Sequence, residues 1–210
     1  MEIRQSLKVA VSLFLFISFT SCNRSSNVSE EAGAESQVSE TEVAQETVKV
    51  DPQAEELLRQ AALEGNKTVV STFLDQGVAM DAVDEEGHTA LMLSAFNGHK
   101  EIVQMLLDKD VNLDRRDFLG RTALLYASTG PFPETVKILL DKGAEPNIID
   151  SDEHFSPLMH AAAEGNLDVV KLLLEYGADL SLKDIDGDDA ESFARQAGHL
   201  EVADFLHSVR

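Results

Sequence analysis

The chain of 210 residues is strongly acidic, with a formal net charge of −21, and 43% of its residues are hydrophobic. This charge argues against nucleic acid as a partner, because binding to phosphate backbones needs clustered Lys and Arg. A single cysteine, Cys22, excludes a disulfide within the chain and disfavours a zinc site built from Cys and His.

The first 21 residues have the features of a secretory signal peptide. Basic residues precede an apolar stretch over residues 9–19, which is shorter than the roughly 20 helical residues that span a bilayer. Two small residues then precede Cys22. This arrangement resembles the bacterial lipoprotein signal, in which the cysteine becomes the lipidated first residue of the mature protein. We therefore expect lipidation at Cys22; an ordinary signal peptide that leaves a free thiol is the alternative.

Residues 22–51 are expected to form the lipidated cysteine and a disordered acidic tether. The segment is rich in Ser, Glu, Gln and Ala and contains no aromatic residue. Such a composition buries too little apolar surface to offset the entropy lost on ordering. As a random coil, the tether would have a root-mean-square reach on the order of 30 Å. It would hold the folded part away from a membrane.

From residue 52 onward the sequence repeats with a period of about 33 residues, which is typical of a stacked repeat architecture. Apolar pairs recur in register at Phe73-Leu74, Leu106-Leu107, Leu139-Leu140, Leu173-Leu174 and Phe205-Leu206. We expect one repeat domain over residues 52–210, with units at about 52–83, 84–116, 117–150, 151–183 and 184–210.

Each unit is predicted to contain two short helices preceded by a projecting turn. In the second unit, Leu91 and Ala95 belong to a narrow stripe that allows close helix packing, and Gly98 ends this helix. Ile102 and Leu106 lie on one face of the second helix. One unit cannot bury its own apolar face, so stacked units are needed for a continuous core.

Short motifs mark corresponding places in the units. They are Gly87-His88-Thr89-Ala90-Leu91, Gly120-Arg121-Thr122-Ala123-Leu124, Ser156-Pro157-Leu158-Met159-His160-Ala161-Ala162, Gly98-His99, Gly198-His199, Gly143-Ala144 and Gly177-Ala178. This pattern resembles the ankyrin repeat. The resemblance implies an all-α, ankyrin-type solenoid of about five helix-turn-helix repeats with projecting β-turn fingers. Pro131-Phe132-Pro133 departs from the Gly-His of the family, and His154 stands where a turn glycine is expected.

The terminal units carry polar residues at positions that are small or apolar in the inner units. These positions are Glu55, Glu56 and Arg59 in the first unit and Glu191 and Arg195 in the last. A terminal repeat needs a polar outer face because nothing stacks on it. We therefore expect both terminal units to be caps.

The acidic run over residues 184–189 invites a calcium-binding hypothesis. An EF-hand loop needs Gly at position 6 and Glu at position 12, and these positions hold Asp189 and Arg195. An acidic turn of the last unit is the better interpretation. The six histidines have no metal-ligand spacing, and no nucleophile or phosphate-loop motif occurs. We predict no catalytic residue, no metal site and no cofactor.

In the ankyrin family, turn tips and the exposed side of the first helices form a concave face that binds other proteins. The resemblance places the candidate partner-binding residues at His88, Glu85, Glu86, Phe96, Phe118, Leu119, Arg121, Asp152, Glu153 and Phe155, with Ile185 and Asp186 in the same face. Phe118 and Leu119 are the most informative, because a solvated tip is normally polar. We expect Phe155 to join them as an apolar centre, and Arg115, Arg116 and Arg121 to form a basic cluster around Phe118. The alternative is that Phe118 packs on a neighbouring turn.

Together these observations predict a membrane-tethered, non-catalytic ankyrin-like protein of the bacterial cell envelope that binds another protein as a monomer. The lipid would attach it at the periplasmic or outer-membrane face; a secreted or soluble periplasmic protein is the alternative location. A lipoprotein that binds an ion or small ligand through its acidic turns is the alternative function. An enzyme whose site is assembled across repeats ranks last.

Overall fold

A computed structural model describes residues 51–210, which lie in one compact unit, Glu46–Arg210. The predicted signal peptide, Cys22 and almost all of the predicted tether lie outside the described residues. Within 51–210 the secondary structure is helical, without a strand. No helix in this part of the chain is long and apolar enough to cross a membrane.

Ten α-helices follow one another as five pairs. They are α1 (Pro52–Glu64) and α2 (Lys67–Asp75), α3 (Ala90–Phe96) and α4 (Lys100–Leu107), α5 (Ala123–Ser128) and α6 (Pro133–Asp141), α7 (Pro157–Ala163) and α8 (Leu167–Glu175), and α9 (Ala190–Ala197) and α10 (Leu200–Ser208). First helices pack against the first helices of neighbouring pairs, and second helices pack against second helices. The predicted all-α solenoid of about five repeats is confirmed.

The repeated Thr or Ser before each inner first helix is its N-cap. The Thr89 hydroxyl accepts a hydrogen bond from the Met92 backbone N–H at 3.2 Å, and Ser156 accepts one from Met159 at 3.2 Å. Thr122 caps α5 in the same way. An N-cap of this kind contributes about 1 kcal/mol, so the motif fixes where each short helix begins.

The core is a column of apolar side chains that runs through successive units. Leu106, Leu139 and Leu173 on the second helices are fully buried, each with 0% of its surface exposed. Ala95 and Ala162 on the first helices are equally inaccessible. These small residues let the first helices approach closely, as the repeated pattern predicts.

Phe132 explains how the third unit tolerates its unusual sequence. It is the N-cap of α6, with Pro133 in the first turn, where a proline fits without losing a hydrogen bond. Its ring lies against Gly98 of the preceding unit, just as the His99 ring lies against Gly65. A Cβ on Gly98 would collide with the phenylalanine ring. Phe132 therefore replaces the usual histidine in a contact between units.

The two terminal units differ in how they use their polar residues. In α1, Arg59 is buried and its Nη2 pairs with Glu56 Oε2 at 2.7 Å, so Arg59 does not provide an exposed polar face. In the last unit, Glu191 pairs with Arg195 at 2.9 Å and with Arg210 at 3.3 Å. This network gives the outer side of α9 the polar surface that a C-terminal cap requires.

Candidate partner-binding surface

Each unit after the first begins with a turn, here called a finger: finger 2 (residues 84–88), finger 3 (117–121), finger 4 (150–155) and finger 5 (184–188). An aspartate opens each finger and holds it closed. Oδ1 of Asp84 accepts the backbone N–H groups of Glu86 at 3.0 Å and His88 at 2.7 Å. Asp117, Asp150 and Asp184 each accept two such bonds. The fingers are therefore turns of defined shape.

Backbone hydrogen bonds join neighbouring fingers into a row. The N–H of Phe118 donates to the Glu86 carbonyl at 3.1 Å, that of Ser151 to Leu119 at 2.8 Å, and that of Ile185 to Glu153 at 3.2 Å. Each bond links the first tip residue of one finger to a tip residue of the finger before it. The tips of successive units consequently lie side by side.

Finger 4 keeps the shape of its neighbours despite its altered sequence. His154 has a φ of 63°, close to the 77° of Gly120 in finger 3. Histidine is among the side chains that tolerate this left-handed region best. The Asp150 N–H still reaches the Phe155 carbonyl at 3.0 Å. The extra residue and the missing glycine therefore leave the row uninterrupted.

Large apolar side chains project from two of the finger tips. Phe118 is 73% exposed, Leu119 45% and Ile185 58%. The edge of the Phe118 ring also lies against finger 2, since its Cδ1 is 3.0 Å from where a Cβ on Gly87 would stand. The ring thus touches the neighbouring finger, yet most of its surface faces solvent.

Phe155 does not join this exposed group. Its ring packs edge-on against Phe193 of α9, with centroids 5.0 Å apart, and against His160 of α7 at 5.4 Å. These contacts leave it only partly accessible. Phe155 therefore connects the fourth and fifth units, and the expectation of one apolar centre with Phe118 and Leu119 is corrected.

His88 lies inside the molecule rather than at a tip. Its side chain is 5% exposed, with Nδ1 2.9 Å from Asp84 Oδ2 and Nε2 3.1 Å from the Tyr126 hydroxyl. Tyr126 donates to Asp117 Oδ2 at 2.6 Å. Burial, reinforced by Asp117, raises the pKa of the Tyr126 hydroxyl. We therefore remove His88 from the candidate contact residues.

The His88 imidazole therefore joins finger 2 to the third unit, because one ring nitrogen hydrogen-bonds Asp84 in its own finger and the other hydrogen-bonds Tyr126 in the next unit.

Phe96 and Arg121 occupy partly buried places beside this network. The Phe96 ring meets Tyr126 edge-on at 6.0 Å. The Arg121 side chain is 17% exposed and its Nε lies 3.9 Å from Asp150 Oδ2. Burial, with a smaller contribution from the nearby Arg121 charge, lowers the pKa of His160 to about 4. Phe96 and Arg121 therefore offer a partner less surface than the finger tips do.

The finger row and the stacked helix pairs agree with the outcome of a family comparison. Residues 58–150 and 134–209 match the family model of ankyrin repeats, which covers well over half of the chain. The chain belongs to the ankyrin repeat family. Ankyrin repeats generally mediate binding to protein partners, so the family indicates an interaction role rather than catalysis.

Similar segments occur in proteins with diverse names. The chain is 49% identical over 51 residues to rice probable E3 ubiquitin-protein ligase XBOS33, covering 24% of this chain and 10% of that protein. It is 40% identical over 64 residues to human ARF GTPase-activating protein GIT1, covering 30% and 8%. It is 37% identical over 67 residues to rat cyclin-dependent kinase 4 inhibitor B, covering 32% and 52%. The chain thus spans about half or less of each relative.

Acidic side chains surround the apolar tips of the ankyrin fingers. Glu85, Glu86 and Asp152 are exposed, and Glu153 is half-buried. Burial first, and then repulsion from Asp152 and other finger aspartates, raises the pKa of Glu153. The tips of fingers 4 and 5 therefore carry a concentration of negative charge.

Within residues 51–210, one group has side-chain donors close enough to hold a metal ion. Asp84, Glu86 and His88 each place a potential ligand atom within 4.8 Å of the others. This group lies in finger 2, whereas the calcium-binding hypothesis from the sequence concerned residues 184–189 in finger 5 and the start of α9. There, Asp184 closes finger 5 and Asp189 caps α9, which accounts for that acidic run as a turn.

Proposed function

We propose that this ankyrin repeat protein is a non-catalytic binding protein that recognises another protein through its finger tips and the adjoining concave face, and that it acts as a monomer. The observation that carries the proposal is the exposure of Phe118 at 73% and Leu119 at 45% on one turn. Apolar side chains held out by a turn of defined shape are typical of interaction sites. The name of the rat relative, an inhibitor of a kinase, is consistent with a protein partner.

The partner test compares wild type with a double variant, Phe118→Ser with Leu119→Ser, in affinity capture from cell-envelope extract. We expect the variant to lose a partner that wild type retains, because truncating apolar anchors at an interface commonly costs about 2 kcal/mol or more each. Leu200→Ser, at a position 61% exposed on α10, is the matched control. If the double variant keeps the partner but melts at a lower temperature, these tip residues are packing and the proposal fails.

We also propose that the protein is anchored through a lipid on Cys22 in the bacterial cell envelope, at its periplasmic or outer-membrane face. The support is the apolar stretch before the only cysteine of the chain and the acidic segment after it. Each buried CH₂ of an acyl chain contributes about 0.8 kcal/mol of membrane affinity. Wild type should enter the detergent phase in a phase-separation assay, and Cys22→Ser should not gain a lipid. Wild type in the aqueous phase would instead support a secreted or soluble periplasmic protein.

An ion-binding lipoprotein is the second candidate function, favoured by the Asp84, Glu86 and His88 group. We rank it lower, because Asp84 and His88 already hydrogen-bond each other at 2.9 Å and a metal ion would have to replace that bond. Calorimetric titration with Ca²⁺ and with Zn²⁺ tests the idea. Saturable binding that is lost in Glu86→Gln, but kept in Glu145→Gln, would favour this function.

A further inference from the structure

We propose that the finger tips recognise a cationic, amphipathic segment of a partner protein, in which Lys or Arg residues alternate with apolar ones. This inference rests on the proposed protein-binding function and names the chemistry of its partner. Three features of the molecule lead to it: two separated apolar tips, a set of tip carboxylates that form no ion pair within residues 51–210, and a smaller number of cations around them.

The apolar contacts come from fingers 3 and 5. Phe118 and Leu119 project from finger 3 and Ile185 from finger 5, each exposed by 45% or more. Neighbouring helices pack about 8–10 Å apart, so two units separate these tips by roughly 20 Å. An extended chain advances about 3.3 Å per residue, and six or seven of its residues would reach from one tip to the other. A single peptide segment can therefore contact both.

The charged contacts come from the carboxylates at the same tips. Glu85, Glu86, Asp152, Glu153 and Asp186 lie there, and none forms an ion pair with a residue in 51–210. Burial raises the pKa of Glu153, and repulsion from Asp152 and Asp186 raises it further. Lys or Arg side chains of a partner would relieve this repulsion, whereas acidic ones would increase it.

The basic cluster predicted around Phe118 does not reverse this charge. Arg116 donates to the carbonyl oxygens of Gly120 and Ile149, which ties finger 3 to the start of finger 4. Arg121 is largely buried and faces Asp150. Arg115, the third arginine of the cluster, is half-buried, and Lys183 donates to the Gly187 carbonyl of finger 5. The five tip carboxylates outnumber these four cations, so the tips keep a net negative charge.

The same charge disfavours other occupants of the surface. The chain carries a net charge of −21, so a second copy would be repelled, as would nucleic acid or a membrane rich in anionic lipid. An uncharged apolar partner would satisfy the exposed Phe118 but leave the carboxylates unpaired. A segment with both apolar and basic side chains fits all of these observations.

Direct binding to peptides of defined sequence tests the proposal. The probe is a fluorescent 12-residue peptide of alternating Lys and Leu, titrated with the full chain and followed by anisotropy. One comparison peptide replaces every Leu with Ser, and the other replaces every Lys with Glu. We expect saturable binding of the Lys–Leu peptide, at least tenfold weaker binding of Lys–Ser, and no binding of Glu–Leu. Raising NaCl from 50 to 300 mM should weaken binding several-fold, because salt screens exposed charges.

Two matched variants locate the site. Glu85→Gln, Glu86→Gln and Asp152→Asn together should weaken Lys–Leu binding at least tenfold. Asp75→Asn, Glu145→Gln and Glu175→Gln remove the same charge from exposed positions outside the fingers, and should change binding less than twofold. Circular dichroism melting of both triple variants checks that each remains folded.

Several results of these binding experiments would contradict the proposal. Equal binding of Lys–Leu and Lys–Ser, tighter binding of Glu–Leu, or equal losses in the two triple variants would each overturn the cationic amphipathic partner. So would binding to vesicles of phosphatidylglycerol with higher affinity than to the Lys–Leu peptide. If the peptide fails to bind while Phe118→Ser with Leu119→Ser still abolishes capture of the natural partner, the inference fails and the proposed function stands. If capture of the natural partner does not depend on the tip residues, both the inference and the proposed function fail.

Discussion

At the scale of single residues, the fingers use polar side chains mainly to hold backbone in place. Asp84 and Asp117 each close their own turn through Oδ1 and use Oδ2 to reach His88 or Tyr126. A buried polar group is stabilising only when its hydrogen bonds are made. These four residues satisfy one another, which explains why a histidine and a tyrosine are tolerated between two units.

Replacing Tyr126 with Phe tests this network. The change removes one hydroxyl, leaving His88 Nε2 and Asp117 Oδ2 without that partner, and we expect unfolding free energy to fall by about 1–3 kcal/mol. Tyr176→Phe is the control, because its hydroxyl bonds to Asp141 at an exposed position, and it should cost less than about 1 kcal/mol. Urea denaturation measures both. Equal losses would mean that the buried hydrogen bonds contribute nothing beyond the surface pair.

His160 should make stability depend on pH. Burial lowers its pKa from 6.5 to about 4 in the folded chain, so between these values the unfolded chain binds a proton that the folded chain does not. Stability is therefore complete above pH 6.5 and falls as the pH drops toward 4, by on the order of 1–3 kcal/mol. His160→Leu should reduce the slope between pH 6.5 and 5 in denaturation experiments. An unchanged slope in this variant would contradict the assignment.

At the scale of helices, each pair depends on its neighbours because its second helix has only two or three turns. The second helices α2, α4, α6, α8 and α10 have 8 or 9 residues each. Isolated helices of this length are marginal in water. Their stability comes from the leucines that they bury against adjacent units, so a defect in one pair should weaken the next.

Leu139→Ala should cost about 2–5 kcal/mol, because the side chain at this position is fully buried in α6. The loss should extend to α4 and α8, which pack directly on α6, and hydrogen exchange of their amides should accelerate. Ile138→Ala, on the same helix but partly exposed, is the control and should cost less. Faster exchange confined to α6 would show that the repeats are not coupled.

At the scale of the stacked repeats, the outer side of the last unit is polar, whereas the faces between units are apolar. The last unit covers the apolar surface of the fourth: Phe193 packs on Phe155, and α10 packs on α8. Its own outer side carries the Glu191, Arg195 and Arg210 ion pairs. A stack of repeats needs such an end to remain soluble.

Deleting residues 184–210 should therefore expose Phe155 and the apolar side of α8. We expect the truncated chain to associate or aggregate, which light scattering after size-exclusion chromatography detects, and to bind more of a hydrophobic dye. A control that deletes only residues 209 and 210 removes one arginine of the network but keeps both helices. A truncated chain that stays monomeric and equally stable would show that the last unit is not a cap.

Much of the fold can be predicted from the sequence, because its determinants are local. The period of about 33 residues, the capping Thr or Ser and the paired apolar residues all act within one unit or on a similar neighbour. Repetition then supplies the core contacts, since the same apolar positions are buried between each pair of neighbouring units. The burial of Leu106, Leu139 and Leu173 follows from this periodicity alone.

The candidate surface depends on contacts that repetition does not specify. Phe118 and Phe155 both lie in fingers, yet Phe118 faces solvent, whereas Phe155 meets Phe193 in the following unit. His88 is drawn inward by Tyr126, 38 positions later in the chain. These partners occupy variable positions of the next repeat, so no pattern within a finger indicates whether its side chain will be buried. Only the stacked structure places the two halves of each contact together and leaves Phe118, Leu119 and Ile185 exposed.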